Sequence, residues 1–181
     1  MSNIPVPAGT STGDLGVIIF GHAQSGGNVA ASGFTNLFEG TTGMTYALLT
    51  GTLTASGTVS VTSDTSNDRG GAILFAFNNA QVQDYASSIG SDNEADPSAV
   101  TFTAEGICFV GISVDDRRDV TGAASGYTQL AQEEYYGGAS AGQNVYGASK
   151  TVGASGSENP GIFSFSGSAS FGVSTLAIQG L

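Results

Sequence analysis

Three blocks of this chain occur twice, in the same order. Gly13-Asp14-Leu15-Gly16-Val17-Ile18-Ile19-Phe20 has a counterpart in Glu105-Gly106-Ile107-Cys108-Phe109-Val110-Gly111-Ile112. Ala31-Ser32-Gly33-Phe34-Thr35-Asn36-Leu37 returns as Ala124-Ser125-Gly126-Tyr127-Thr128-Gln129-Leu130. Ala72-Ile73-Leu74-Phe75-Ala76-Phe77-Asn78 pairs with Val173-Ser174-Thr175-Leu176-Ala177-Ile178-Gln179. The offset drifts from about 92 through about 93 to about 101 positions, as happens when strands are kept and loops vary. Such a pattern points to an internal duplication. It divides the chain into an N-terminal arm (1–12), a first repeat (about 13–80), a joint (about 81–104) and a second repeat (about 105–181). Either half alone, roughly 90 residues, would leave a sheet face bare, so one domain over 1–181 is expected.

Each block reads as strand. Leu15–Phe20 is an almost unbroken apolar run, the pattern of a strand covered on both faces. In Thr58–Thr62, Val59 and Val61 alternate with polar residues, and in Ile162–Ser166 Phe163 and Phe165 share one face. Glycine occupies 28 of 181 positions, which argues against helix because each interior glycine costs about 1 kcal/mol relative to alanine. About ten strands are predicted, arranged as an all-β, jelly-roll-like β-sandwich. The runs at 15–20, 72–77, 107–112 and 173–178 are its predicted shared core. Thr54-Ala55-Ser56-Gly57 is predicted to close a hairpin. The polar joint is Gln81–Ser98, and its first part, Gln81–Ile89, allows one or two helical turns. Ile4-Pro5-Val6-Pro7 is predicted to be an extended arm, because proline fixes φ and holds its predecessor extended.

Charge removes two classes of partner. Fifteen acidic residues face four basic ones, for a net charge of −11. Phosphate contacts require Lys and Arg, so nucleic acid and anionic membranes are excluded as expected partners. The N-terminus has no basic region followed by an apolar core and does not read as a signal peptide. No apolar run approaches the ~20 residues that span a bilayer.

The candidate sites have modest chemistry. Cys108 stands in an apolar run and reads as a small buried hydrophobe. His22, the one imidazole, has no G-x-S-x-G elbow or defined triad around it. Asp92, Glu94 and Asp96, with Asn93, could offer oxygen ligands to Ca²⁺, as could Asp115, Asp116 and Asp119. Neither group matches an EF-hand loop, and both read as solvated acidic loops with no metal. Arg117 and Arg118, half of the basic residues, neutralise the second group locally or meet a neighbouring subunit. Glu133 and Glu134 alternate in a strand and point to opposite faces, unlike a glycosidase pair. Tyr135 and Tyr136, before Gly137-Gly138, suit an interface; a sugar platform is the alternative. No catalytic residue and no cofactor is expected.

The repeated blocks, with the terminal Leu176-Ala177-Ile178, resemble two-repeat β-sandwich proteins of tailed bacteriophages and prophages. In that type a G-D-L strand, an S/P-G-F/W-T-x-L strand and a small-A-x-x-L/F-x-F/Y strand recur in each half. The resemblance spans about Pro7 to Leu181, with Phe34 and Tyr127 where tryptophan is frequent. It implies a non-enzymatic virion protein, and brings no catalytic residues. The leading expectation is a decoration or cement protein on the outer surface of the phage particle. Its partners would be the major capsid protein and copies of itself, a homotrimer by analogy with capsid three-folds. The alternative is a tail-tip or fibre module that binds host surface glycans. The arm Ile4, Pro5, Val6 and Pro7, the acids Asp92, Glu94 and Asp96, and Asp115–Asp119 are the expected contact regions.

Overall fold

The computed structural model describes residues 2–64, 70–136 and 142–181, except for the side chains of Ser2 and Tyr136. Fifteen strands and no helix are found among them. In chain order they are β1 (Ser2–Pro5), β2 (Leu15–His22), β3 (Ala30–Ala31), β4 (Phe34–Thr41), β5 (Thr45–Thr52), β6 (Thr58–Thr62), β7 (Gly70–Phe77), β8 (Ala80–Ala95), β9 (Val100–Phe102), β10 (Gly106–Val114), β11 (Val120–Gly122), β12 (Thr128–Tyr136), β13 (Gly142–Val152), β14 (Gly156–Glu158) and β15 (Phe163–Gly180). The all-β, sheet-on-sheet architecture expected from the sequence is what the chain forms.

The sheets lie in layers. A small outer sheet, β1-β6-β3, packs on a four-stranded sheet, β4-β5-β2-β7. That sheet packs on β12-β13-β10-β15, whose last strand also carries β8 and β11. The pair β9–β14 covers the far side. Strand β2 shows why. Leu15, Val17 and Ile19 enter a cluster that also holds Phe109, Val145, Leu176 and Ile178 of the second half. Ile18 and Phe20, on the opposite face, enter a cluster with Leu49, Val61 and Leu74. Both faces are therefore buried, and alternation ceases to be visible in the sequence. Each large side chain buried this way contributes roughly 1.5–3 kcal/mol before entropy is subtracted. In the middle cluster the Phe109 ring meets Phe75 at 4.8 Å and Phe77 at 5.5 Å between centroids.

The order β4-β5-β2-β7 recurs as β12-β13-β10-β15. Register matches position by position. Leu15 lies opposite Thr52 and Phe77. Ile107, 92 positions later, lies opposite Thr151 and Ile178. Thr35 faces Thr50, and Thr128 faces Ser149. A β-bulge passes over Leu37 in β4 and over Leu130 in β12, at the same place in the G-aromatic-T-x-L block. The glycine that opens each block adopts the left-handed region, φ +81° at Gly33 and φ +85° at Gly126. The outer layers correspond as well. Ile4 faces Val59 in β1–β6, and Val100 faces Glu158 in β9–β14.

Several sequence expectations need correction. Among the described residues the apolar interior is three clusters, one between the halves and one inside each, because each central sheet is covered twice. The joint is the 16-residue strand β8, not helical turns; it pairs antiparallel along β15 and turns polar residues outward. Phe163–Ser166 and Val173–Gln179 belong to one 18-residue strand, β15, which stays extended through Gly167; Ile162 precedes it. Thr54–Gly57 is no hairpin, since β6 pairs with β1 and β3 while β5 pairs with β2 and β4. The loop instead carries the chain from one layer to the next. Nor does the arm hang free: β1 is hydrogen-bonded to β6, and Ile4 and Val6 pack half-buried on the first-half core.

Candidate functional site

The Asp115–Asp119 turn is wired inward. Asp116 and Arg117 both adopt φ +57°, which makes the turn sharp. Asp119 Oδ1 accepts hydrogen bonds from Gln132 Nε2 (3.1 Å) and Asn144 Nδ2 (3.0 Å). Its N–H donates to Ser166 Oγ (3.0 Å), and its carbonyl accepts from Ser166 N–H (2.9 Å). Asp115 N–H donates to Ser170 O. The Arg118 guanidinium lies over Gly167, and Arg117 lies against Gly142. Only Asp116 in this turn is exposed. The turn thus ties β10, β12, β13 and β15 together.

The acids of the joint lie elsewhere. Asp92 and Glu94 are exposed at the far end of β8, opposite Ala169 and Ser164, with a register shift between them. Asp96 follows, also exposed. Among the described residues no group of three or more His, Cys, Asp or Glu is placed to hold a metal ion. His22 ends β2, buried, with Nδ1 accepting from Gln24 N–H at 3.1 Å.

Tyr135 is an internal contact. Its Oη lies 2.8 Å from Ala72 O and 2.7 Å from Glu133 Oε2. One hydroxyl proton serves one acceptor at a time. Burial, then the Glu133 carboxylate, pushes this phenol up from its usual value. The ring covers Gly71, where a Cβ would overlap it. Tyr136 ends β12; its side chain and residues 137–141 lie outside the described residues.

A second titratable cluster sits in the second half. Lys150 Nζ pairs with Glu158 Oε1 at 2.7 Å, and Tyr127 Oη donates to the same oxygen at 3.3 Å. Cys108 is fully buried beneath. Burial pushes its thiol up to about 11, against a smaller downward pull from a Tyr127 hydrogen bond. A thiol held neutral in this way is a poor nucleophile, so the cluster is a structural pin.

The described surface is hollowed in two further regions. One, about 500 Å³, lies between the start of β8 and the β4–β5 edge. Thr50, Thr52, Gln81 and Tyr85 line it; Tyr85 is 42% exposed, and its Oη donates to Leu37 O. The other follows β7, bounded by the N-terminal segment and Tyr135. Sequence reasoning missed both. Tyr85 lay in a polar joint whose strand character came from its partner, and a sheet edge has no residue signature.

No family model matches the chain, and neither the curated proteins nor the solved structures contain a match.

Proposed function

We propose that this chain is a non-enzymatic structural protein of a virus particle, a decoration or cement protein on the exterior of a phage head. Its partners are the major capsid protein and further copies of itself, arranged as a trimer. The observation that supports this reading is the register-matched repetition of β4-β5-β2-β7 as β12-β13-β10-β15. It is what an internal duplication leaves behind, and the duplicated blocks are those that carry the phage resemblance. Asp119 and Tyr135 are committed to internal contacts, the first between strands of one sheet and the second between two sheets. Adhesion then falls to surface edges and loops, with symmetric copies supplying avidity.

Sedimenting purified particles and counting copies by quantitative mass spectrometry tests this. Recovery of the chain with the particles at a stoichiometry of order one per capsid subunit supports it. Recovery solely in the soluble fraction overturns it.

One observation favours the tail-tip reading. The Tyr85 depression offers an aromatic face beside Gln81, Thr50 and Thr52, the chemistry that stacks on and hydrogen-bonds a sugar. Under that reading, glycan binding is lost in Tyr85→Ala and the chain is recovered at a few copies per particle.

A further inference from the structure

The central sheets β4-β5-β2-β7 and β12-β13-β10-β15 match strand for strand, but their last strands differ at the outer edge. β15 is paired on both sides, by β10 and by β8. Its counterpart β7, among the described residues, pairs only with β2. Register transfers the vacant positions. Val173, Thr175 and Ala177 lie opposite Ser88, Ala86 and Asp84 of β8. Their counterparts are Ala72, Leu74 and Ala76, which face Phe20, Ile18 and Gly16 of β2 on one side and, among the described residues, no strand on the other. Ala72 O turns outward, toward Tyr135 Oη, and alternation turns the N–H and C=O of Leu74 and Ala76 the same way. Natural sheets blunt such edges with charge, proline or a bulge. β7 reads Gly-Gly-Ala-Ile-Leu-Phe-Ala-Phe and has none of these.

The neighbouring strand tells a complementary story. In the second half, β8 side chains cap the edge amides beside it: Asp84 Oδ2 accepts from Thr101 N–H (2.8 Å) and Gln83 Oε1 from Thr103 N–H (3.1 Å). The counterparts of Thr101 and Thr103 are Pro5 and Pro7, which have no N–H. An occupant of the first-half edge therefore needs no acceptor side chains there. Space for it exists, as two adjoining hollows of about 300 and about 420 Å³ that share Pro7 and Leu74. Their lining includes Asp14 and Glu133, and no Lys or Arg.

We propose that the outer edge of β7 is a strand-docking site for an extended, basic segment of a different polypeptide, lying antiparallel to β7 as β8 lies on β15. Charge selects the partner: Glu133 is exposed on the rim, and a second copy of this chain brings a net charge of −11. Main-chain hydrogen bonds supply the affinity and alternate side chains the selectivity. The proposal stands apart from the particle reading, because it follows from the internal comparison of β7 with β15.

The test uses the whole protein and two synthetic peptides. One copies Ala80–Ser91; the other carries Asp84→Ser and Ser88→Lys. Hydrogen exchange read by NMR reports on the edge. In the free protein the Leu74 and Ala76 amides are expected to exchange rapidly while those of Val17 and Phe109 stay protected. The basic peptide is expected to slow the Leu74 and Ala76 amides at least ten-fold, and the unaltered copy to bind at least ten-fold more weakly. Ala76→Pro removes an outward donor and should abolish binding. Should that variant misfold, Glu133→Lys should reverse the preference between the peptides. Three results overturn the proposal: protection of both amides in the free protein at the level of Val17, no slowing by either peptide, or protection that rises with protein concentration alone.

Discussion

Ile19 and Gly111 face each other across the middle core: a Cβ on Gly111 would overlap Ile19 Cδ1. The offset of 92 that aligns β2 with β10 makes these two residues counterparts. Gly21 and Ser113 repeat the relationship, since a Cβ on Gly21 would overlap Ser113 Oγ. Counterparts touch each other only beside a two-fold axis, so the halves meet as an isologous pair. Identical bulky residues could not occupy both sides of such a contact. Isoleucine against glycine, and glycine against serine, is how the chain resolves it.

Gly111→Ala therefore overpacks the middle cluster. Overpacking a tight core costs roughly 1–3 kcal/mol. A chain of this size should lose several degrees of Tm, at about 2–4 °C per kcal/mol. Adding Ile19→Val should recover part of the loss. A double-mutant cycle by thermal unfolding measures the coupling, and additive losses would contradict the contact.

Gly33 and Gly126 make a different kind of test. Both precede a bulged strand with φ near +80°, at +81° and +85°. No atom lies within 4 Å of a Cβ on Gly33, so alanine there meets only backbone strain. Each alanine variant should lose roughly 1–2 kcal/mol, and the double variant should lose the sum, because the sites lie in different halves. Denaturant unfolding checks this.

The two glycines also mark what the sequence made legible. The repeated G-aromatic-T-x-L block located an edge strand in each half, and the offsets of 92 and 101 turned out to be hydrogen-bond register. Leu15–Phe20 announced a strand covered on both faces. The layer count was hidden because an apolar run says that both faces are buried, not by what. β8 was hidden because Gln81, Gln83 and Asp84 are polar residues on a solvated face, and the strand is set by β15 rather than by local preference. The turn at Asp119 read as a solvated acidic loop because its acceptors, unlike their partners Gln132 and Asn144, are close together in sequence.

Asp119→Ala should leave the buried Asn144 amide without that acceptor. Losing the partner of a buried donor costs roughly 1–3 kcal/mol. Loosening should be local, with hydrogen exchange quickening in β11 and around Gln132 and Asn144 rather than in β2. Uniform quickening through both halves would contradict the role given to this turn.

Alkali should destabilise the fold from about pH 9 upward. The Cys108 thiol is raised from 9.0 to about 11, and burial raises the phenols of Tyr46, Tyr127, Tyr135 and Tyr146 in the same direction. Groups raised in the folded state lose protons first from the unfolded chain. Their stabilisation is complete below the unfolded value and is lost as pH rises through the folded one. Tm measured from pH 8 to pH 11 should fall, and Cys108→Ala should shallow the fall between about pH 9 and about pH 11. An unchanged slope in that variant would contradict the thiol's part.

Cryo-electron microscopy of intact particles bears hardest on the functional reading. Layered density that fits β1-β6-β3, β4-β5-β2-β7 and their second-half counterparts, seated on the outside of the head at symmetry-related positions, is the expected result. Heads bare of such density, in particles shown by mass spectrometry to contain the chain, would contradict a cement role.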